Sequence, residues 1–154
     1  MSTLSTLFAV LLVLHILFGL LGVISSFRAT LFLLKENVLV ASITKASYVA
    51  SVAYILSWLS GGWYYWKYYG SNVKPAIVGG DFPWAHLVFM EAKEHVFLFL
   101  PFATLALALA LSLKGGVIIA NPRLRRCTML LSLTITVLAV IVTLSGILIT
   151  GGAR

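Results

Sequence analysis

The residues with chemistry to offer gather between Asp81 and Pro101, in the stretch DFPWAHLVFMEAKEHVFLFLP. This stretch opens an apolar segment, yet its first turns carry His86, Met90, Glu91, Lys93, Glu94 and His95. Those six include two of the chain's three histidines and two of its four carboxylates. A charged side chain inside a bilayer costs roughly 2.5–3.5 kcal/mol, so it is retained for a site, a pathway or a partner. On a helix advancing ~100° per residue, Glu91, Glu94 and His95 fall within about 100° of one another. His86, Met90 and Lys93 fill the adjoining arc, and that polar arc must face other helices or water.

The third histidine, His15, lies in another apolar segment, followed by Gly19, Gly22 and Ser26 at i+4, i+7 and i+11. Such a stripe serves close helix packing, or clears room for a flat ligand beside an imidazole. His15 and His95 each lie about 11 residues in from the same side of the bundle, roughly 17 Å at 1.5 Å per residue. Tyr54 comes to a similar level.

Three chemistries fit these residues. In the first, His15 and His95 are the axial ligands of a haem b, with Gly19, Gly22 and Tyr54 around the macrocycle and Glu91 as an outer acceptor or proton carrier. The pairing resembles that of small membrane cytochromes b in general, and implies an electron-transfer protein or subunit with a redox partner or a quinone. In the second, Glu91, Glu94 and His95 hold copper or zinc, completed by His86 or His15 and by Met90 as a thioether ligand; imidazole plus thioether favours copper. A di-iron site needs about four carboxylates and is disfavoured. In the third there is no cofactor, and Glu91, Lys93, Glu94 and His95 pair as a network in an accessory subunit of a larger membrane complex or a homo-oligomer. No Ser–His–Asp set, phosphate loop or nucleotide fingerprint points to a self-contained enzyme.

The elements that must position these groups follow from composition. Hydrophobic residues make up 61% of the 154 and charged residues 10%, which predicts a single all-α integral membrane domain over residues 1–154. Four apolar segments, at about 4–26, 38–60, 83–113 and 127–150, are each long enough to cross a ~30 Å core. They predict an antiparallel four-helix bundle in contact with lipid, with a kink in the third helix at Pro101. Asn37 is the expected N-cap of the second helix. The run GGWYYWKYYG reads as an interfacial aromatic belt, and residues 70–82 as the longest connection. Thr44, Ser47, Ser51 and Tyr54 share one face of the second helix and should point into the bundle.

Charge sets the orientation. Arg28, Lys35, Lys114, Arg123, Arg125 and Arg126 fall on one side, against Lys67, Lys74 and Arg154 on the other. The basic side is therefore expected in the cytoplasm, with both termini and the 70–82 loop outside, as in a prokaryotic plasma membrane. The excess of 11 Lys+Arg over 4 Asp+Glu follows this topology and not nucleic-acid binding. A lone cysteine, Cys127, rules out an internal disulfide and any cysteine-based zinc or iron–sulfur framework. The absence of Lys or Arg ahead of the first segment argues against a cleaved signal peptide.

Overall fold

A computed structural model describes residues 2–152, with side chains from residue 6. The described residues are helical with short connections and no strand. Four helical stretches are long and apolar enough to cross a membrane: Thr6–Leu34, Val40–Val78, Ala85–Ala120 and Pro122–Gly152. Helix α1 is Ser2–Leu34 and α2 is Val40–Tyr64; α2 runs on through a π-helical segment, Tyr65–Val73, into the short helix α3, Lys74–Val78. A second π-helical segment, Ala85–Met90, leads into α4, Glu91–Ala120, and α5 is Pro122–Gly152. Helix α1 packs on α2, α2 on α4, α4 on α5, and α5 back on α1, closing a four-helix ring.

Several boundaries move from their expected places. The second helix begins at Val40 behind Leu39, which makes no side-chain cap, so Asn37 does not cap it. The aromatic run and most of residues 70–82 are helical: Pro75 sits in the first turn of α3, where a missing N–H removes no bond, and the true connection shrinks to residues 79–83. The third helix passes through Lys114–Gly116 and ends at Ala120. Its dihedrals leave the helical range at Lys114 (φ −135°, ψ 18°), and Gly115 there lies against Val40, whose side chain would overlap any Cβ at that position. Pro101 is buried within α4, and Ser51 Oγ donates to its carbonyl at 3.0 Å. Asn121 caps α5, its Oδ1 accepting from the backbone N–H of Arg123 (3.0 Å) and Leu124 (3.2 Å), with Pro122 in the first helical position.

The end of the bundle near Lys35 and Asn121, here the basic end, is closed by direct bonds. Arg125 Nη2 donates to the carbonyls of Leu33 (3.1 Å) and Lys35 (2.5 Å), satisfying carbonyls that the end of α1 leaves open. Inward, Thr30 Oγ1 donates to Ser26 O at 3.1 Å and meets Ser132 Oγ at 2.8 Å. Ser26 Oγ meets the Tyr54 hydroxyl at 3.0 Å. Around these bonds pack Leu33, Ile43, Leu100, Leu111 and Ile135, all within 1% of full burial. The inward stripe expected on α2 holds for Ser47, Ser51 and Tyr54, all buried, and Ser57 extends it by another turn. Thr44 is half-buried.

Candidate functional site: a polar cavity at the aromatic end

Toward the other end of the bundle, α1, α2, α4 and α5 part around a cavity of about 500 Å³. Its polar groups are His15 from α1, Tyr65 and Tyr69 from the π-helical segment after α2, and Lys93 and Glu94 from α4; Trp58, Phe97 and Met90 supply apolar walls. The size is that of a pocket for one small molecule.

His15 is held on two sides. Its Nδ1 lies 2.8 Å from the carbonyl of Ser57 and 3.0 Å from Ser57 Oγ, while Ser57 Oγ–H donates to the His15 carbonyl at 2.8 Å. A carbonyl only accepts, so Nδ1 carries the proton and Nε2 presents its lone pair. That lone pair faces the amine of Lys93 at 3.5 Å. Phe97 meets the imidazole edge-on, with ring centroids 6.0 Å apart. Gly61 makes this seat: a Cβ there would overlap the His15 ring. On the opposite wall Gly146 of α5 leaves space in front of Lys93, since a Cβ at 146 would stand 3.4 Å from Nζ.

Beside Lys93, Glu94 lines the cavity and buries its Oε1 with no hydrogen-bond partner. It faces Tyr65 and Tyr69, whose rings stack at 5.1 Å with 21° between planes. Behind Tyr69 lies His86, fully buried, with Nδ1 3.0 Å from the Tyr69 hydroxyl. Its Nε2 has no hydrogen-bond partner and points at Glu91 Oε1, 3.8 Å away.

The structure thus gathers His15, Met90, Lys93 and Glu94 on one cavity and leaves His95 off it. His95 is exposed, its Nδ1 donating to the carbonyl of Glu91 at 2.7 Å, and Glu91 is exposed beside it. The room expected next to His15 is filled by the chain itself: Gly19 faces Ser57 Oγ, and Gly22 faces the Tyr54 ring, which any Cβ there would strike. Tyr54 is 1% exposed, bonded to Ser26 and set edge-on to Phe97, so it belongs to the core beneath the cavity. His15 and His95, the pair expected to share a ligand, therefore face different surroundings, one the cavity and the other the outside of the bundle. The described residues do not bring together three or more of His, Cys, Asp and Glu as a metal would need. His86 is interior to the bundle, because the π-helical turn from Ala85 to Met90 packs against Tyr69 and α5.

Tyr65, Tyr69, Trp58, Gly61 and Gly146 were not among the sequence candidates. The signal for the tyrosines was their i, i+4 spacing inside an aromatic run, where a belt explains the composition equally well. No family model, no curated protein and no solved structure matches the chain.

Proposed function

We propose that the chain is an integral membrane protein whose cavity binds the head of a lipid-soluble, carbonyl-bearing molecule, a quinone, as a subunit serving membrane electron transport. One observation carries this reading: the Lys93 amine stands at the wall of a cavity lined largely by aromatic and aliphatic side chains, 3.5 Å from a histidine lone pair. An amine held there offers its remaining N–H donors to a ligand oxygen, the kind of placed polar group that orients a ligand in an apolar pocket. Trp58, Tyr65 and Phe97 offer flat surfaces to a ring, and Glu94 offers a carboxylate able to take up a proton.

Depth supports a ligand drawn from the bilayer. His15 is 13 residues from Arg28 (28 − 15), so it stands roughly 20 Å above the basic end, and its contact with Lys93 brings α4 to the same height. In a ~30 Å core that leaves about 10 Å to the opposite surface. With the basic connections in the cytoplasm, the His15–Lys93 contact lies in the outer part of the bilayer. Cys127 is exposed at the basic end and reports the orientation: a membrane-impermeant maleimide should label it in inverted vesicles and not in intact cells.

The test of binding is titration of the detergent-purified protein with decylubiquinone, read by quenching of tryptophan fluorescence. Saturable quenching that disappears in Trp58→Phe and weakens in Lys93→Gln is the expected result. Quenching that is absent, linear, or indifferent to Lys93 overturns the quinone reading. Displacement by oleate and not by a second quinone would assign the site to a fatty acid instead.

The exposed pair Glu91 and His95 favours a second, compatible element of this reading. A carboxylate and an imidazole directed off the bundle at this depth call for a protein partner. Membership of a larger membrane complex or a homo-oligomer supplies one.

A further inference from the structure

Three polar groups behind the cavity have no part in holding a ligand. Glu91 is exposed, His86 is wholly buried, and Tyr69, 3% exposed, both bonds His86 and lines the cavity. Burying an imidazole with one nitrogen unpaired is costly, so its persistence beside a carboxylate asks for a role. The second unpaired buried atom in this region, Glu94 Oε1, lies on the cavity side of the same tyrosines. An unsatisfied base therefore stands at each end of one short line of groups.

We propose that His86 and Tyr69 are a proton entry to the cavity, carrying a proton from Glu91 at the surface of the bundle to Glu94 within it. The inference rests on the reading of the cavity as a ligand site, and gives that site the means to protonate what it holds. The first two gaps are of the right size. The 3.8 Å between Glu91 Oε1 and His86 Nε2 is within ion-pair range, and a small rotation of the exposed Glu91 side chain brings it to hydrogen-bond length. The 3.0 Å between His86 Nδ1 and the Tyr69 hydroxyl is a hydrogen bond. From Tyr69 the path crosses to Glu94 through Tyr65, which stacks on it, or through water in the cavity.

The transfer balances. A proton from Glu91 adds to Nε2, the proton on Nδ1 passes to the Tyr69 oxygen, and the original Tyr69 hydroxyl proton leaves toward the Glu94 carboxylate. One proton enters, one departs, and only N–H and O–H bonds change. The other charged group facing His86 is Lys74 of α3, with Glu94 more distant; the facing stretch of α5, around Ile149, brings no titratable group.

The test uses the full chain in detergent and no quinone, so it succeeds or fails independently of ligand identity. After a rapid drop in pH, infrared absorption follows the carbonyl stretch of protonated Glu94, identified by its loss in Glu94→Gln. In Tyr69→Phe, which keeps the ring and its packing, the band should reach the wild-type amplitude about 10²-fold more slowly, the usual scale for losing a positioned proton carrier. If that variant does not fold, His86→Gln is read in its place with the same expectation. Wild-type kinetics in a folded variant, or a wild type in which no Glu94 band grows, overturns the proposal. Loss of decylubiquinone binding with the slow band intact would discard the quinone and keep the entry path.

Discussion

The two ends of the bundle spend their polar residues in opposite ways. At the basic end, hydroxyls meet hydroxyls or carbonyls at 2.8–3.1 Å, Thr30 with Ser132 and Ser26, Ser26 with Tyr54, Ser51 with Pro101, and Thr44 Oγ1 alone among the described buried side-chain atoms there lacks a partner. At the aromatic end the groups are ionisable, two of their buried atoms have no partner, and a cavity separates the helices. Polar groups satisfied by one another hold helices together in a membrane. Polar groups left open address something else. The difference in backbone agrees: both π-helical segments belong to the aromatic end, and such segments are frequent at functional sites.

The contrast breaks most readily through glycine. Gly22→Ala places a methyl group in the Tyr54 ring, and overpacking of this kind costs about 1–3 kcal/mol, which a lowered thermal midpoint in detergent should show. Lys93→Gln is the converse case: quinone affinity should fall about tenfold or more, near 1.4 kcal/mol, while the thermal midpoint holds, because no packing contact is lost. A midpoint that collapsed with Lys93 would make the aromatic end structural too and erase the distinction. Gly62→Ala, on the cavity wall with nothing within 4 Å, should leave stability unchanged or raise it by about 0.5–1 kcal/mol through helix propensity. The smallest effect belongs to the hydroxyl pair: a double-mutant cycle between Thr30→Val and Ser132→Ala should return a coupling near 0.6 kcal/mol, the average for such bonds between membrane helices.

These effects also show what could be read from the chain before its fold. The four long apolar helices were legible from hydropathy alone, and so was the inward stripe of Ser47, Ser51 and Tyr54, because both are local periodicities. The cluster from Met90 to Glu94 was legible as a site because charge in an apolar segment needs a reason. Its partner was not. Sequence depth set His15 level with His95, but depth does not fix rotation about the helix axis, and the rotation chosen points Lys93 at His15 and His95 away. Nor do α-helical wheels hold across π-helical turns, where each residue advances less than 100°, so a wheel does not give the direction in which the buried His86 faces. The seat of the imidazole depends on Gly61, and the space before Lys93 on Gly146, contacts across helices that no single segment discloses.

The wall contributed by α5 has a consequence for how the protein is made. Helices emerge in order, N-terminal first, and α1 and α2 already share the His15–Ser57 and Ser26–Tyr54 bonds once both are in place. Gly146, Ile149 and Thr150, which close the cavity, come from the last helix to be synthesised. Until α5 arrives, Lys93 and Glu94 have no enclosure, and neither Thr30 nor the carbonyl of Leu33 has its partner on that helix. The cavity is therefore the final part of the molecule to be enclosed during synthesis, and a chain truncated before residue 146 would lack the α5 wall altogether.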